Sequence, residues 1–333
     1  MWHTKWQLWG RGKRSVQAPS MPISPEWDGY LSGWGSLSNR TDLGGLLASA
    51  TSIGGKDVQQ DACGCLDLPG CKIAAVADGI SSSPRAHLAA STAIHVVLNG
   101  LVQRWQAGCF PTRTVLAQIF TEAQRAIHLQ AQARNLTQPS PATTLILGVE
   151  LADRLLLAYV GDGAAVLTTG SLQWMQNLLY PQVGPAGAIV RYLGDPQAAI
   201  EPGYIELPKV WPEGCILLIG TDGALVQGQT LSTAEAILGE VQRQVMDSTA
   251  KGRTVDPHGI LEAWISQRLS TSDNRSLALI VSEQALRLWQ DLGRRQQAKA
   301  QAGGGSHATQ RRLESAVGIS GGAEAETGRG VTG

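Results

Sequence analysis

The chain has 333 residues, 43% of them hydrophobic, and a formal net charge of +0. That is enough apolar mass for one large domain or two small ones, and the balanced charge gives no global drive toward nucleic acid or an anionic membrane. No run approaches the ~20 apolar residues that span a bilayer.

The elements are best taken in chain order. Residues 1–40 hold Trp2, Trp6, Trp9, Trp27 and Trp34, half of the ten tryptophans, and no acidic residue before Glu26. The basic residues Lys5, Arg11, Lys13 and Arg14 are not followed by the continuous apolar stretch of a signal peptide. Glycine, proline and serine break any period, so the segment reads as a Trp-rich extension that drapes over a domain or docks a partner. Contact with a membrane surface would call for a clean helical moment, which is missing. The expectation is a soluble, cytoplasmic protein.

Residues 41–285 alternate strand-like and helix-like patterns. Short Val-, Ile- and Leu-rich runs bounded by Gly and Asp predict strands at 71–77, 144–149, 154–160, 164–168, 215–220 and 276–281. An Ala-rich stretch that opens after a Ser-Ser-Ser cap, with Pro84 in the first turn, predicts a helix over 84–101. The stripe Val115, Ile119, Ala123, Ala126, Ile127 predicts another over 111–134, and 230–246 and 257–269 read as two more. Helices come in pairs with strands grouped between them. That pattern predicts an α+β fold with antiparallel sheets covered by helix pairs, not a doubly wound sheet. From 286 to 333 the composition turns to Gly, Ala and Gln with few bulky apolar residues, which predicts a disordered tail after a helical turn or two around 286–297.

The five cysteines (Cys63, Cys65, Cys71, Cys109, Cys215) are scattered and odd in number, which fits a reducing compartment. Cys63, Cys65 and Cys71 match no standard zinc spacing and read as buried or edge residues of a hairpin. His87, His95 and His128 fall on the predicted helices without spaced partners and read as packing residues. Gly55-Lys56 is followed by Asp57 and not by Ser or Thr, so there is no P-loop. Gly318-Ile319-Ser320-Gly321-Gly322 fits a nucleophile elbow by letter, but no strand precedes it and no helix follows.

The chemistry is carried by aspartates at strand ends: Asp61, Asp78-Gly79, Asp162, Asp222-Gly223 and Asp273-Asn274. Each alone is foremost a turn signal. Brought together they repel one another and must be neutralised by protons or cations. Oxygen ligands without accompanying His or Cys select Mg²⁺ or Mn²⁺ over zinc. Four or five carboxylates suffice for two such ions bridged by a water, about 3.5–4 Å apart, that clamp a phosphoryl group for in-line attack.

In their order these motifs resemble the metal-dependent serine/threonine protein phosphatases of the type 2C class, in a bacterial-like form, over residues 45–283. The segment 55–61 resembles an Arg-x-x-x-Glu/Gln-Asp opening, and Ala75-Val76-Ala77-Asp78-Gly79 a Val-x-Asp-Gly core. Ala142-Thr143-Thr144 stands for Gly-Thr-Thr, Gly161-Asp162-Gly163 for Gly-Asp-Ser, and 189–194 for Leu-Thr-Arg-x-Leu-Gly. Thr221-Asp222-Gly223 and Asp273-Asn274 resemble the last two metal motifs.

The resemblance implies a four-layer α/β/β/α sandwich and hydrolysis of phosphoserine or phosphothreonine in partner proteins. The attacking group would be a water bridging two metal ions, with no covalent intermediate. It also implies a site in which Asp61, Asp78, Asp222 and Asp273, with the Gly79 carbonyl, hold two Mn²⁺ or Mg²⁺ ions. Asp162 would serve a third, weaker metal site. Asp61 and Asp222 would carry catalysis, with Lys56 binding phosphate, and residues 184–214 would form a flap. The implied partners are phosphorylated proteins, a cognate Ser/Thr kinase or its targets.

This chain departs from the pattern in four places. Lys56 stands for Arg, which supplies charge without a bidentate fork; Ile80 for a His found in some members; Ser81-Ser82 for Gly-Gly; and Gly163 for Ser. An alternative reading is a catalytically weak phosphatase-like binding or regulatory module.

Overall fold

The structure, a computed structural model, describes residues 44–136, 140–179, 181–184, 189, 191–194, 200–267 and 272–317, with side chains to 301. The expected extension over residues 1–40 lies outside them. Ten strands and five helices follow one another among the described residues. Strands β1 (Leu46–Ser52), β2 (Ala62–Leu68) and β3 (Cys71–Ala77) precede helices α1 (Ala86–Gln106) and α2 (Arg113–Ala133). Six strands come next: β4 (Leu145–Leu151), β5 (Arg154–Val160), β6 (Ala164–Thr169), β7 (Met175–Asn177), β8 (Gly203–Pro208) and β9 (Cys215–Gly220). Helices α3 (Thr230–Ala250) and α4 (Pro257–Gln267), strand β10 (Arg275–Val281) and helix α5 (Glu283–Val317) complete the order.

The strands form two five-stranded sheets, ordered β1-β10-β9-β6-β7 and β2-β3-β4-β5-β8, with every pairing antiparallel. One core cluster lies between the sheets, joining Val76, Ile146 and Leu157 to Leu167, Leu217, Ile219 and Ile280. A second lies between the first sheet and its helices, joining Val166, Ile216, Leu218 and Leu279 to Ile237, Val241, Leu261, Ile265 and Trp289. Alternate residues of β9 therefore face different apolar layers, which explains why its six residues are all buried. Such a strand needs a continuous apolar run and not an alternating one. On the other side α1 packs on β2, where Leu98 and Ile94 close over Gly64. The result is the α+β, four-layer sandwich with helices outside each sheet.

Two local readings change. No serine side chain caps α1: Arg85 precedes the helix in the left-handed region at φ 52. The Ser83 hydroxyl instead accepts from Ala142 N at 3.1 Å and donates to Ile80 O at 2.8 Å, tying the turn after β3 to the loop before β4. Thr112, by contrast, caps α2 by accepting from Val115 N at 3.3 Å. The expected flap over 184–214 is only partly described, and 203–208 within it is a strand hydrogen-bonded along β5.

At the C-terminal side one helix runs through 283–317, longer than the helical turn or two expected around 286–297. Trp289 explains its start. The side chain is fully buried, its indole N–H donates to Gly170 O at 2.6 Å, and Gly293 lets the helix press against Met246 of α3. Gln, Ala, Lys and Arg are all good helix formers, so a segment can be poor in core residues and still carry a helix anchored at one end. Residues 318–333 lie outside the described part.

Candidate metal centre

Antiparallel pairing brings the acidic turns to one end of both sheets. Ala62 stands opposite Ala77, which places Asp61 beside Asp78. In the same sheet Leu145 stands opposite Val160, which sets the turn carrying Asp162 on the neighbouring side. In the other sheet Gly220 is paired with both Leu277 and Ala164. The Thr221–Gly223 turn, Asp273-Asn274 before β10, and Gly161–Gly163 before β6 therefore meet at one edge. The structure brings Asp61, Asp78, Asp162, Asp222 and Asp273 together, with Lys56 at the rim.

Hydrogen bonds hold the turns in place. The Asp78 backbone is gripped on both sides: its N–H donates to Thr144 Oγ1 at 3.0 Å, and its carbonyl accepts from Thr144 N and Thr143 Oγ1, each at 2.8 Å. Thr221 Oγ1 donates to Asp61 Oδ2 at 2.8 Å and accepts from Ser276 N at 3.0 Å, linking the first and last motifs across the two sheets. Asn274 Nδ2 donates to Val58 O at 3.0 Å and so fixes the loop that carries Lys56.

The glycines are required by close approach. A Cβ on Gly79 would stand 2.6 Å from Gln60 O and 2.8 Å from Ala86 C, and one on Gly223 would stand 2.0 Å from Asn274 O. Gly163 is equally confined, 2.7 Å from Gly220 O, which accounts for glycine where serine is expected.

The electrostatics show what the cluster lacks. Burial lifts the Asp61 carboxyl to about 6, opposed by hydrogen bonds from Asp78 and Thr221 and assisted by the charges of Asp222 and Asp273. Burial, then the charges of Asp61 and Asp222, holds Asp78 well above the usual carboxylate range. Burial and the charge of Asp222 lift Asp162 to about 6. Among the described residues Asp61 Oδ1, Asp162 Oδ1 and Asp222 Oδ1 are buried without a hydrogen-bond partner. Buried acceptors of this kind call for a missing partner, and mutually repelling carboxylates call for a cation.

A hard divalent ion fits this donor set, which contains no nitrogen or sulfur. Among the described residues no group of three or more His, Cys, Asp or Glu side chains is already closed around one point.

Other candidates separate from this site. The five cysteines are free. Burial pushes the Cys63 and Cys71 thiols up to about 12, far from the thiolate form that binds metal. His95 and His128 are paired to Asn99 and Gln132 on their own helices. Arg191, from the 189–194 motif, lines a cavity of about 380 Å³ with Arg113, Glu201 and Tyr204, and that cavity includes none of the aspartates.

Thr221, Gln60 and Ser81 flank acidic motifs and the Thr143–Thr144 pair falls in a resembling motif, but the sequence does not show what any of them bonds to, because their partners come from other strands and loops.

The same fold occurs in solved structures. The solved S. aureus serine/threonine phosphatase Stp1 is 15% identical, covers 74% of this chain and 99% of its own, and superposes with a TM-score of 0.55. The S. agalactiae serine/threonine phosphatase is 17% identical over 72% of this chain and 99% of its own, with a TM-score of 0.54. Likeness at these identities establishes the fold. A search of curated proteins gives no match. The family model described as "Protein phosphatase 2C" matches residues 50–267, a span that takes in all of the acidic turns except Asp273. With most of the chain matched, it belongs to the protein phosphatase 2C family of metal-dependent serine/threonine phosphatases.

Proposed function

We propose that the chain hydrolyses phosphoserine and phosphothreonine in partner proteins by direct attack of water on phosphorus. Two divalent ions, Mn²⁺ or Mg²⁺, supply the activation of that water and the polarisation of the phosphoryl oxygens when bound. Asp61, Asp78, Asp222 and Asp273 hold them together with the Gly79 carbonyl, and Asp162 serves a third, weaker site. Thr221 keeps Asp61 turned inward, the Thr143–Thr144 pair keeps Asp78 at the strand end, and Lys56 receives the phosphoryl group.

The observation that carries this reading is the set of unpartnered buried oxygens on Asp61, Asp162 and Asp222. The catalytic unit spans residues 41–285, preceded by the 1–40 extension. The five free cysteines support a reducing, cytoplasmic location, and no described helix is long and apolar enough to cross a membrane. A phosphorylated protein, such as a cognate Ser/Thr kinase or one of its targets, is the partner this chemistry requires.

A phosphopeptide assay across Mn²⁺ and Mg²⁺ tests the reading, with Asp222→Asn as control. Metal-dependent release of phosphate by the wild type alone supports it. Tight metal binding without turnover on any phosphoprotein would favour a phosphatase-like binding module.

A further inference from the structure

Lys56 is held on three sides. Its ammonium donates to Ser81 Oγ at 2.8 Å and to Gln60 Oε1 at 3.4 Å, and it forms an ion pair with Asp273 Oδ1. The Ser81 hydroxyl donates in turn to Gln60 Oε1 at 3.0 Å, so Lys56, Gln60 and Ser81 close a triangle of hydrogen bonds. An ammonium carries three N–H donors. Two are committed to neutral oxygens of this chain, and the third points to Asp273, toward the carboxylate cluster.

Both tethers sit on segments that carry acidic turns. Gln60 precedes Asp61, and its carbonyl accepts from Gly79 N at 3.2 Å. Ser81 follows Gly79 by two residues, and the intervening Ile80 N–H is bonded to Ala142 O at 2.9 Å. Packing does not fix the lysine, whose side chain is 31% exposed. A guanidinium presents a rigid planar fork, whereas an ammonium on a flexible four-carbon stem takes its direction from its surroundings.

Resting on the phosphatase reading, we propose that Ser81 is a positioning residue for substrate phosphate. With Gln60 it fixes the Lys56 ammonium so that the N–H now turned to Asp273 is the one offered to a phosphoryl oxygen. A lysine held at two points thereby does the work of the missing arginine fork, and the serine in place of glycine at position 81 belongs with the lysine in place of arginine at position 56.

The test uses the full chain loaded with Mn²⁺ and four proteins: wild type, Ser81→Ala, Lys56→Arg and the double variant. Inorganic phosphate binding is read by calorimetry, and KM and kcat on a phosphopeptide. Loss of a hydrogen bond to a charged group predicts that Ser81→Ala weakens phosphate binding and raises KM roughly five- to tenfold, with kcat within about twofold. In the Lys56→Arg background the same change should shift both by less than about twofold, because the fork carries its own geometry. Ser81→Thr, which keeps the hydroxyl, should restore wild-type binding.

An equal penalty in both backgrounds would mark a general loop effect and overturn the proposal, as would no penalty in either. A wild type that binds phosphate but hydrolyses nothing would sink the phosphatase reading. The calorimetric arm would still decide the role of Ser81.

Discussion

The Thr221 hydroxyl ties Asp61 to the opposite sheet, and that makes Thr221 the most informative neighbour of the cluster. Outer partners of metal ligands set ligand orientation, so Thr221→Ala should cost about 10–100-fold in Mn²⁺ affinity or turnover, with the fold retained. Metal titration by calorimetry and near-UV circular dichroism check the two halves of that statement. The raised carboxyls make a second prediction. With Asp61 and Asp162 near 6 and Asp78 also raised, the metal-free folded state holds protons that the unfolded chain, with carboxyls near 3.8, has released. Stability from this source is therefore present below about pH 4 and is lost as pH rises through about 6. The metal-free melting temperature should fall across that window, and added Mn²⁺ should remove most of the fall.

The turns at Asp78 and Asp222 are legible in the sequence, because an Asp-Gly pair closing an apolar run announces a strand end that presents a carboxylate. Thr221, Gln60 and Ser81 are not, since their bonds to Asp61 and Lys56 depend on which strands pair and in what register.

At the scale of elements, the central strands β3, β4, β9 and β10 are buried along their whole length. Each advertises itself as a largely apolar run. The edge strands do not: β1 reads Leu-Leu-Ala-Ser-Ala-Thr-Ser, β7 has three residues, and β8 alternates toward solvent, so their signal sinks into the surrounding turns. A buried ion pair lies among the central strands. Lys72 and Glu150 face each other across β3 and β4, both buried, with Nζ to Oε2 at 3.0 Å, and Lys209 reaches the other Glu150 oxygen at 2.6 Å. Glu150→Ala would leave the buried Lys72 ammonium without its carboxylate and should cost about 3–5 kcal/mol in urea unfolding. A loss under about 1 kcal/mol would show that the lysine escapes to water. The length of helix α5 is hidden for a related reason, because one tryptophan anchors it in a stretch whose composition reads as a tail. Trp289→Ala should cost about 3–5 kcal/mol through the lost burial.

For the whole molecule, two sheets packed face to face bring turns from distant parts of the chain to one edge, and the fold thereby gathers charges that repel. Asp61 and Asp273 lie at opposite ends of the domain sequence, yet the charge of one raises the carboxyl of the other. A cation that binds only this folded arrangement stabilises it by mass action, about 2.7 kcal/mol at a hundred times its dissociation constant. Mn²⁺ should therefore raise the melting temperature of the wild type and do so much less for Asp222→Asn. The central claim is that these aspartates form a metal centre that hydrolyses phosphoserine and phosphothreonine. Its most direct test is phosphate release from a phosphopeptide by the wild type and Asp222→Asn, each with Mn²⁺ and with chelator. The account predicts turnover by the wild type only when metal is present, and a fall of roughly a hundredfold or more in the folded variant. Equal activity in the two proteins, or turnover that survives the chelator, would contradict it.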